Sequence, residues 1–275
     1  MSKLAGKTVF ITGSSRGIGR EIAIACAKQG ANVVIAAKSD TPHPKLSGTI
    51  HSVAREVEEA GGQAMAVKLD VRDEKEVQSA MAQAVDRFGG LDVLVNNASA
   101  IALTPVQHTD IDRFDLIHSV NTRGTLVCSK AAIPYLKQTE NAQILTLSPP
   151  INLAPHWLGP YGPYTVTKYG MTLLTLGLAE ELKGDGVRCN CLWPQTTIAT
   201  AAVEYAIDAA LLKRSRTPAI MADAAMAILT SEEASLTGQC LTDEQVLRDS
   251  GVVDFEPYKV DPACEHLMRD LYLDR

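Results

Sequence analysis

Thr8-Val9-Phe10-Ile11-Thr12-Gly13-Ser14-Ser15-Arg16-Gly17-Ile18-Gly19 is the stretch that decides the fold of this 275-residue chain. Its first five residues are mostly β-branched or aromatic and read as a short buried strand. Glycines then interrupt the run, and an amphipathic helical pattern follows over about Gly17–Gln29. A strand that passes through glycines into a helix is the setting of a dinucleotide loop. Glycine permits the tight turn and lets the backbone approach a pyrophosphate closely. The helix N-terminus supplies free N–H groups and a dipole that favour the anion. The competing reading is a glycine-rich turn with no ligand.

Outward from this stretch, strand and helix patterns alternate. Strands are predicted at Asn32–Ala37, Ala64–Leu69, Leu91–Val95, Gln143–Leu147 and Gly186–Leu192. Helices are predicted near Ile50–Ala60, Asp73–Phe88, Asp110–Lys137 and Tyr164–Leu182. Short apolar strands bounded by glycine and separated by helices predict a parallel sheet covered on both faces, a single doubly wound α/β domain. The domain is expected over 1–245. The more polar residues 246–275, with Pro257 and Pro262, are expected to form a tail packed on the domain or on a partner subunit.

Hydrophobic residues make up 46% of the chain and charged residues 21%, an ordinary balance for a protein with a substantial core. A net charge of −6 argues against nucleic acid or an anionic membrane as partner. No apolar run approaches the ~20 residues of a membrane span. The stretch Met1–Lys7 has no signal-peptide layout, and Leu273-Asp274-Arg275 is not a peroxisomal address, so a soluble cytoplasmic chain is expected. Six scattered cysteines and six histidines lack metal-ligand spacing, so reduced thiols and no metal are expected.

Tyr164 and Lys168 stand four residues apart, one helical turn on one face. A phenol beside an ammonium group is expected to have a lowered pKa and to serve as acid and base near neutrality. Taken alone, such a pair arises readily by chance in a chain of this composition. Its meaning depends on what accompanies it.

The spacing of Gly13, Gly17 and Gly19, with Thr12 before the first, resembles the short-chain dehydrogenase/reductase family. Further signals of that family follow in order: Asp70-Val71 after the third strand, Asn97-Ala98-Ser99 after the fourth, then Asn121, Ser148, Tyr164 and Lys168. The resemblance covers roughly Gly6 to Asp243. It implies a Rossmann-type fold and NAD(P)-dependent interconversion of a carbonyl and an alcohol. By resemblance, Tyr164 is the acid/base, and Lys168 assists it and binds the nicotinamide ribose. Ser148 hydrogen-bonds the substrate oxygen and Asn121 holds a proton-supplying water. The alternatives for the last two are a turn residue before Pro149-Pro150 and a helix kink. Cofactor contacts are expected from Thr12, Gly13, Ser15, Arg16, Gly17, Ile18, Gly19, Lys38, Asp70, Val71, Asn97, Ala98, Ser99, Pro194, Thr196 and Thr197, besides Tyr164 and Lys168. Strand two ends Ala36-Ala37-Lys38-Ser39, and Lys38 with Arg16 could converge on a 2′-phosphate, which favours NADP over NAD. The alternative is that both cations are solvated and Asp40 binds the ribose.

Ser148 precedes Tyr164 by sixteen positions, three more than is usual in the family, and Tyr161 sits at the usual distance. The residue four after Tyr161 is Thr165, so the lysine selects Tyr164. The longer loop Pro149–Pro163, with Leu153, Trp157 and Tyr161, and the segment Thr196–Arg216 are expected to set substrate specificity. Lys213, Arg214 and Arg216 could meet a CoA phosphate or form a solvated helix end. Ala36-Ala37-Lys38, Asn121-Thr122-Arg123-Gly124, Ser148-Pro149-Pro150 and Leu192-Trp193-Pro194 resemble one branch in particular, the hydroxysteroid dehydrogenase-like protein 2 group, without its sterol-carrier domain. That implies lipid metabolism and a hydrophobic small-molecule substrate. A 3-oxoacyl thioester reductase or hydroxyacyl dehydrogenase is the variant within the enzyme class, and an NADP-binding sensor or scaffold the alternative outside it. A homodimer or homotetramer is expected by resemblance.

Overall fold

In the computed structural model, which describes residues 3–274, strand β1 (Thr8–Thr12) is buried along its whole length between parallel neighbours. Its side chains alternate between two cores, as the period of two requires. Val9 and Ile11 face one core with Val33 and Ile35, whereas Phe10 and Val34 face the other. After β1 come α1 (Gly17–Lys28), β2 (Asn32–Ala37), α2 (Ile50–Glu59), β3 (Gln63–Lys68), α3 (Glu74–Phe88) and β4 (Val93–Asn96). The second half runs α4 (Ile111–His118), α5 (Gly124–Leu136), β5 (Gln143–Thr146), α6 (Pro155–Glu181), β6 (Arg188–Trp193), α7 (Ala219–Leu229), β7 (Cys240–Thr242) and α8 (Asp243–Asp249).

Among the described residues the seven strands all pair in parallel, in the order β3-β2-β1-β4-β5-β6-β7. Helices α1, α2, α7 and α8 cover one face and α3, α5 and the end of α6 the other. The order reverses between β1 and β4. The crevice beyond the carboxyl ends of those strands is where an open α/β sheet binds its ligands. Local signals place the elements. Asp73 caps α3 by accepting from Lys75 N and Glu76 N, and Gly89, at φ +85°, ends that helix.

Several expectations are revised. The single helix expected over 110–137 is two, joined by a π-helical turn at Ser119–Arg123. The helix expected from Tyr164 begins at Pro155 and kinks at Tyr161 (φ −129°, ψ 15°), between Pro160 and Pro163. Nine of the fifteen residues of the expected specificity loop are therefore helical. Neither α7 nor β7 was anticipated. Position 245 falls inside α8, and after it the chain turns back across the carboxyl end of the sheet, with bridges Arg216↔Lys259 and Thr196↔Arg269. The terminal residues Met1, Ser2 and Arg275 lie outside the described residues. Among the described residues no helix is long and apolar enough to cross a membrane.

Candidate active site

The glycine loop is pinned to the end of β4. Asn97 Nδ2 donates to Thr12 O (2.8 Å) and Gly13 O (3.0 Å), and the Asn97 and Ala98 amides donate to Thr12 Oγ1 (both 3.0 Å). This packing demands glycine. Gly13 holds φ +68°, and a Cβ there would lie 2.8 Å from Ala98 Cα. At Gly19 a Cβ would lie 2.5 Å from Asn97 Nδ2. Thr12 and Gly19, expected as cofactor contacts, shape the loop from behind the cavity. The remaining loop residues Gly13, Ser15, Arg16, Gly17 and Ile18 line a cavity of about 1390 Å³. Its far wall is Lys38, Asp70 and Val71, and its near wall Asn97, Ala98 and Ser99.

At the end of β2, Lys38 Nζ lies 3.3 Å from Asp70 Oδ2. Arg72 clamps the same carboxylate through Nε (3.0 Å) and Nη2 (2.6 Å), and with Lys38 holds it well below the usual carboxylate range. Arg16 donates to Ser47 O, Ser39 Oγ and Gly48 O, which draws the 45–48 segment over the cavity. Asp40 is turned to His51 (2.8 Å) and Lys68 (3.8 Å). The two cations face the cavity and the alternative carboxylate is engaged elsewhere.

A smaller cavity of about 150 Å³ shares Ile18, Asn97 and Ser99 with the large one and brings together Tyr164, Lys168 and Pro194. Burial pushes the Tyr164 phenol well above its ordinary pKa. Charges at Tyr272 and Asp270 push the same way, and the Ser99 hydroxyl opposes them. The expectation of a lowered phenol pKa is therefore corrected: burial outweighs the neighbouring lysine. Lys168 donates to Leu147 O (2.6 Å), lies 5.0 Å from the Trp193 ring centre, and is itself pushed down to about 7 by burial.

Other expected residues sit elsewhere. Ser148 is fully buried, its oxygen beside the Cys191 thiol with no hydrogen-bond partner, and Leu147 takes its place on the cavity wall. The cause is the chain path. Extended residues after β5 alternate, so once Leu147 faces the cavity, Ser148 faces away. Asn121 is saturated: it accepts from Ser99 Oγ (3.1 Å) and Ala100 N (2.8 Å) and donates to Ala100 O and Thr167 Oγ1 (both 2.9 Å). Its side chain braces the Ser99 turn and leaves no group for a water. Thr196 and Thr197 are buried behind the wall. Thr197 Oγ1 pairs with Ser215 Oγ (2.8 Å), while Thr200 reaches both cavities. Leu153 faces solvent, Trp157 donates to Asp274 Oδ1 (3.0 Å), and Tyr161 occupies the α6 kink, so the expected specificity loop does not wall either cavity. Arg216 is sealed against Glu244 (2.7 Å) and is unavailable to a CoA phosphate.

The apolar wall comes from Ile101 and Leu271 and, within the expected segment Thr196–Arg216, from Ile198, Val203 and Ile207, with Asp270 as its acid. Sequence reasoning missed Asp270 and Leu271. The available signal was Leu271-Tyr272-Leu273, an apolar run in a polar tail. Among the described residues no cluster of His, Cys, Asp or Glu is placed to hold a metal.

A model of the family described as short chain dehydrogenase matches residues 7–209. Hydroxysteroid dehydrogenase-like protein 2 of Rattus norvegicus is 51% identical over 99% of this chain and 51% of its own length. The Xenopus tropicalis protein of that name is 51% identical over 99% of this chain and 64% of its own. The chain thus spans about half to two thirds of the length of these curated relatives. The crystal structure of a short chain dehydrogenase from Mycobacterium thermoresistibile is 50% identical, covers 98% of this chain and 96% of that one, and superposes with a TM-score of 0.92. Because the family model runs from β1 past β6 and half-identical relatives cover nearly every residue, this chain belongs to the short-chain dehydrogenase/reductase family of NAD(P)-dependent oxidoreductases.

Proposed function

We propose that this chain interconverts a carbonyl and an alcohol with NADP, on a hydrophobic, lipid-derived substrate. The observation that carries the reading is the meeting of Tyr164, Lys168 and Ser99 in an apolar-walled cavity that shares its wall with the large one. The residues present fit the cofactor. The cradle at Gly13 and Gly19 admits no Cβ, and the N-terminus of α1 opens on the cavity beside it. Gly13–Ile18 would hold the pyrophosphate, Arg16 and Lys38 a 2′-phosphate, and Asp70-Val71 the adenine. Asn97–Ser99, Pro194 and Lys168 would hold the nicotinamide half. When bound, the nicotinamide gives or takes a hydride.

The chain's own residues manage the proton and the oxygen. Tyr164, kept protonated by burial, donates its proton to the substrate oxygen in reduction and takes it back in oxidation. Ser99 would turn the hydroxyl proton it gives to Asn121 Oδ1 toward the cavity and hydrogen-bond the same oxygen, the part the sequence reading gave to Ser148. Lys168, when charged, favours the phenolate. The apolar wall of Ile101, Ile198, Val203, Ile207 and Leu271 excludes water and selects a hydrophobic substrate.

Initial rates with NADPH and NADH over a panel of ketones and 3-oxoacyl thioesters test the proposal. NADPH is expected to be the better cofactor, and a preference for NADH would sink that half of it. Turnover confined to the thioesters would move the substrate to the acyl class. Arg16→Ala is expected to lower kcat/KM for NADPH by roughly 10- to 100-fold, the worth of one charge-assisted hydrogen bond, with little change for NADH. Equal losses with both cofactors would mean that Arg16 serves the 45–48 segment and not a phosphate.

The reading includes self-association through α5 and α6. Leu126 on α5 and Val166 and Leu173 on α6 are large apolar side chains that are 49%, 58% and 61% exposed. Val166 and Leu173 are seven residues apart on one face. The double change Val166→Glu and Leu173→Glu is expected to reduce the mass measured by light scattering to that of a smaller species. An unchanged mass would place the interface elsewhere.

A further inference from the structure

The segment 268–274 crosses the small cavity, and its Asp270 has no part in the chemistry described so far. The main chain ties the segment down on one side. Met268 N donates to Arg214 O, Thr197 N to Met268 O (both 2.8 Å), and Asp270 N to Gln195 O (3.3 Å). On the other side Trp193 Nε1 donates to Leu271 O (3.0 Å), and the Tyr272 ring packs among Trp157, Tyr169 and Trp193. Asp274 then accepts from Asn152 Nδ2 (2.7 Å) and Trp157 Nε1 (3.0 Å). Tyr272 holds φ +69°, a conformation a non-glycine residue keeps only when its surroundings impose it. Anchored on both sides, Asp270 cannot swing out. Its carboxyl forms the cavity wall with Tyr164 and Lys168, and among the described residues it is the one acid of that wall.

We propose that Asp270 is a positioning residue of the reaction centre that acts through Lys168, keeping the lysine charged inside the apolar cavity. The inference deepens the oxidoreductase reading above and rests on it for the part Lys168 plays. An ammonium group out of water needs a counter-charge, and among the described residues no other carboxylate lines its cavity. Lys168 is faced by Asp270 and the Cys191 thiol. Asp270 is faced by Asp243 of α8 and by Lys168, receives the Leu271 amide (2.7 Å), and bears on the Tyr164 and Tyr272 phenols. Burial brings both members to about 7, Lys168 from above and Asp270 from below. Each group counters the shift that burial imposes on the other. Asp270 also repels a Tyr164 phenolate, so removing its charge lowers the pKa of both other groups.

The test is Asp270→Asn, which keeps the volume and still accepts from Leu271 N. The ¹³Cε signal of Lys168 in the full chain without cofactor, assigned by its loss in Lys168→Arg, reports the lysine directly. Its midpoint is expected to fall by about one unit in Asp270→Asn and to stay near wild type in Asp270→Glu. In turnover, the alkaline limb of ketone reduction should move to lower pH by about the same amount. An unmoved Lys168 midpoint overturns the proposal. If Asp270→Asn does not fold, the wild type carries the test. Its Asp270 ¹³Cγ and Lys168 ¹³Cε signals must share two midpoints, as coupled sites do, and a single Lys168 step with none matching at Asp270 overturns the pairing. Coupled titration in a protein that turns over no carbonyl would remove the oxidoreductase reading and leave the electrostatic coupling across the cavity. Turnover with an unmoved Lys168 would do the reverse.

Discussion

Tyr164→Phe is expected to lower kcat for carbonyl reduction by roughly a thousandfold, within the range for loss of a positioned acid, while NADPH still binds. The substitution removes one hydroxyl and nothing else. The ring keeps its place in the aromatic cluster with Ile117, Tyr169, Trp193 and Tyr272, so the fold has no reason to yield. Burial keeps the phenol protonated at neutral pH, so the loss falls on proton donation. Tyr161→Phe is the control. That residue occupies the kink of α6 away from both cavities, and its change is expected to leave kcat within about twofold, as for a substitution outside the site. Steady-state rates and a fluorescence titration with NADPH decide the matter. Loss of turnover in Tyr161→Phe instead would transfer the acid/base role to that residue.

The part of the molecule governed by local pattern was legible in advance. β1 and β2 are fully buried apolar runs, and both were placed residue for residue, because a buried parallel strand leaves an uninterrupted hydrophobic signal. The glycine loop was legible because backbone contact leaves no alternative residue at Gly13 and Gly19. β7 was not. It has three residues, all only partly buried, and pairs with β6 alone. The amino-terminal part of α6 was hidden by Pro155, Pro160 and Pro163, which read as loop. Pro155 instead suits the first turn, and the other two fall at the kink.

The candidate site divides along the same line. Tyr164 and Lys168 share a helix face, and helical spacing alone brings them together. Ser148 and Asp270 depend on where distant segments come to rest. Ser148 matched a motif by residue type, yet its direction was set by the exit of the chain from β5, which a one-dimensional spacing does not fix. Asp270 lies 102 positions beyond Lys168. It enters the cavity only because Trp193, Gln195 and Arg214 hold the returning chain, through contacts that leave no periodic trace in the sequence.

Exchanging the roles of the two serines gives the sharpest separation of motif from geometry. Ser99→Ala is expected to lower kcat by roughly 10²–10³, the cost of losing one donor to a developing oxyanion. Ser148→Ala should leave kcat within about threefold, an ordinary effect for a side chain that touches no reacting atom. Ser99 lies on the cavity wall with Tyr164 and donates to Asn121 Oδ1 (3.1 Å). Without it, Asn121 Oδ1 still accepts from Ala100 N, so the turn survives while the substrate oxygen loses its donor. The Tyr164 phenolate loses the neighbouring hydroxyl that favours it, so the pKa seen in alcohol oxidation should rise in Ser99→Ala, a shift no merely structural role would give. Ser148 offers a stability readout in return. Its hydroxyl is buried without a partner, and exchanging it for a methyl group removes an unpaid desolvation cost. Ser148→Ala should therefore melt at or above the wild-type temperature, and Ser99→Ala near it. If Ser148→Ala stops turnover and Ser99→Ala does not, the segment after β5 must turn its serine into the cavity when substrate binds, and the hydroxyl assigned to Ser99 returns to Ser148.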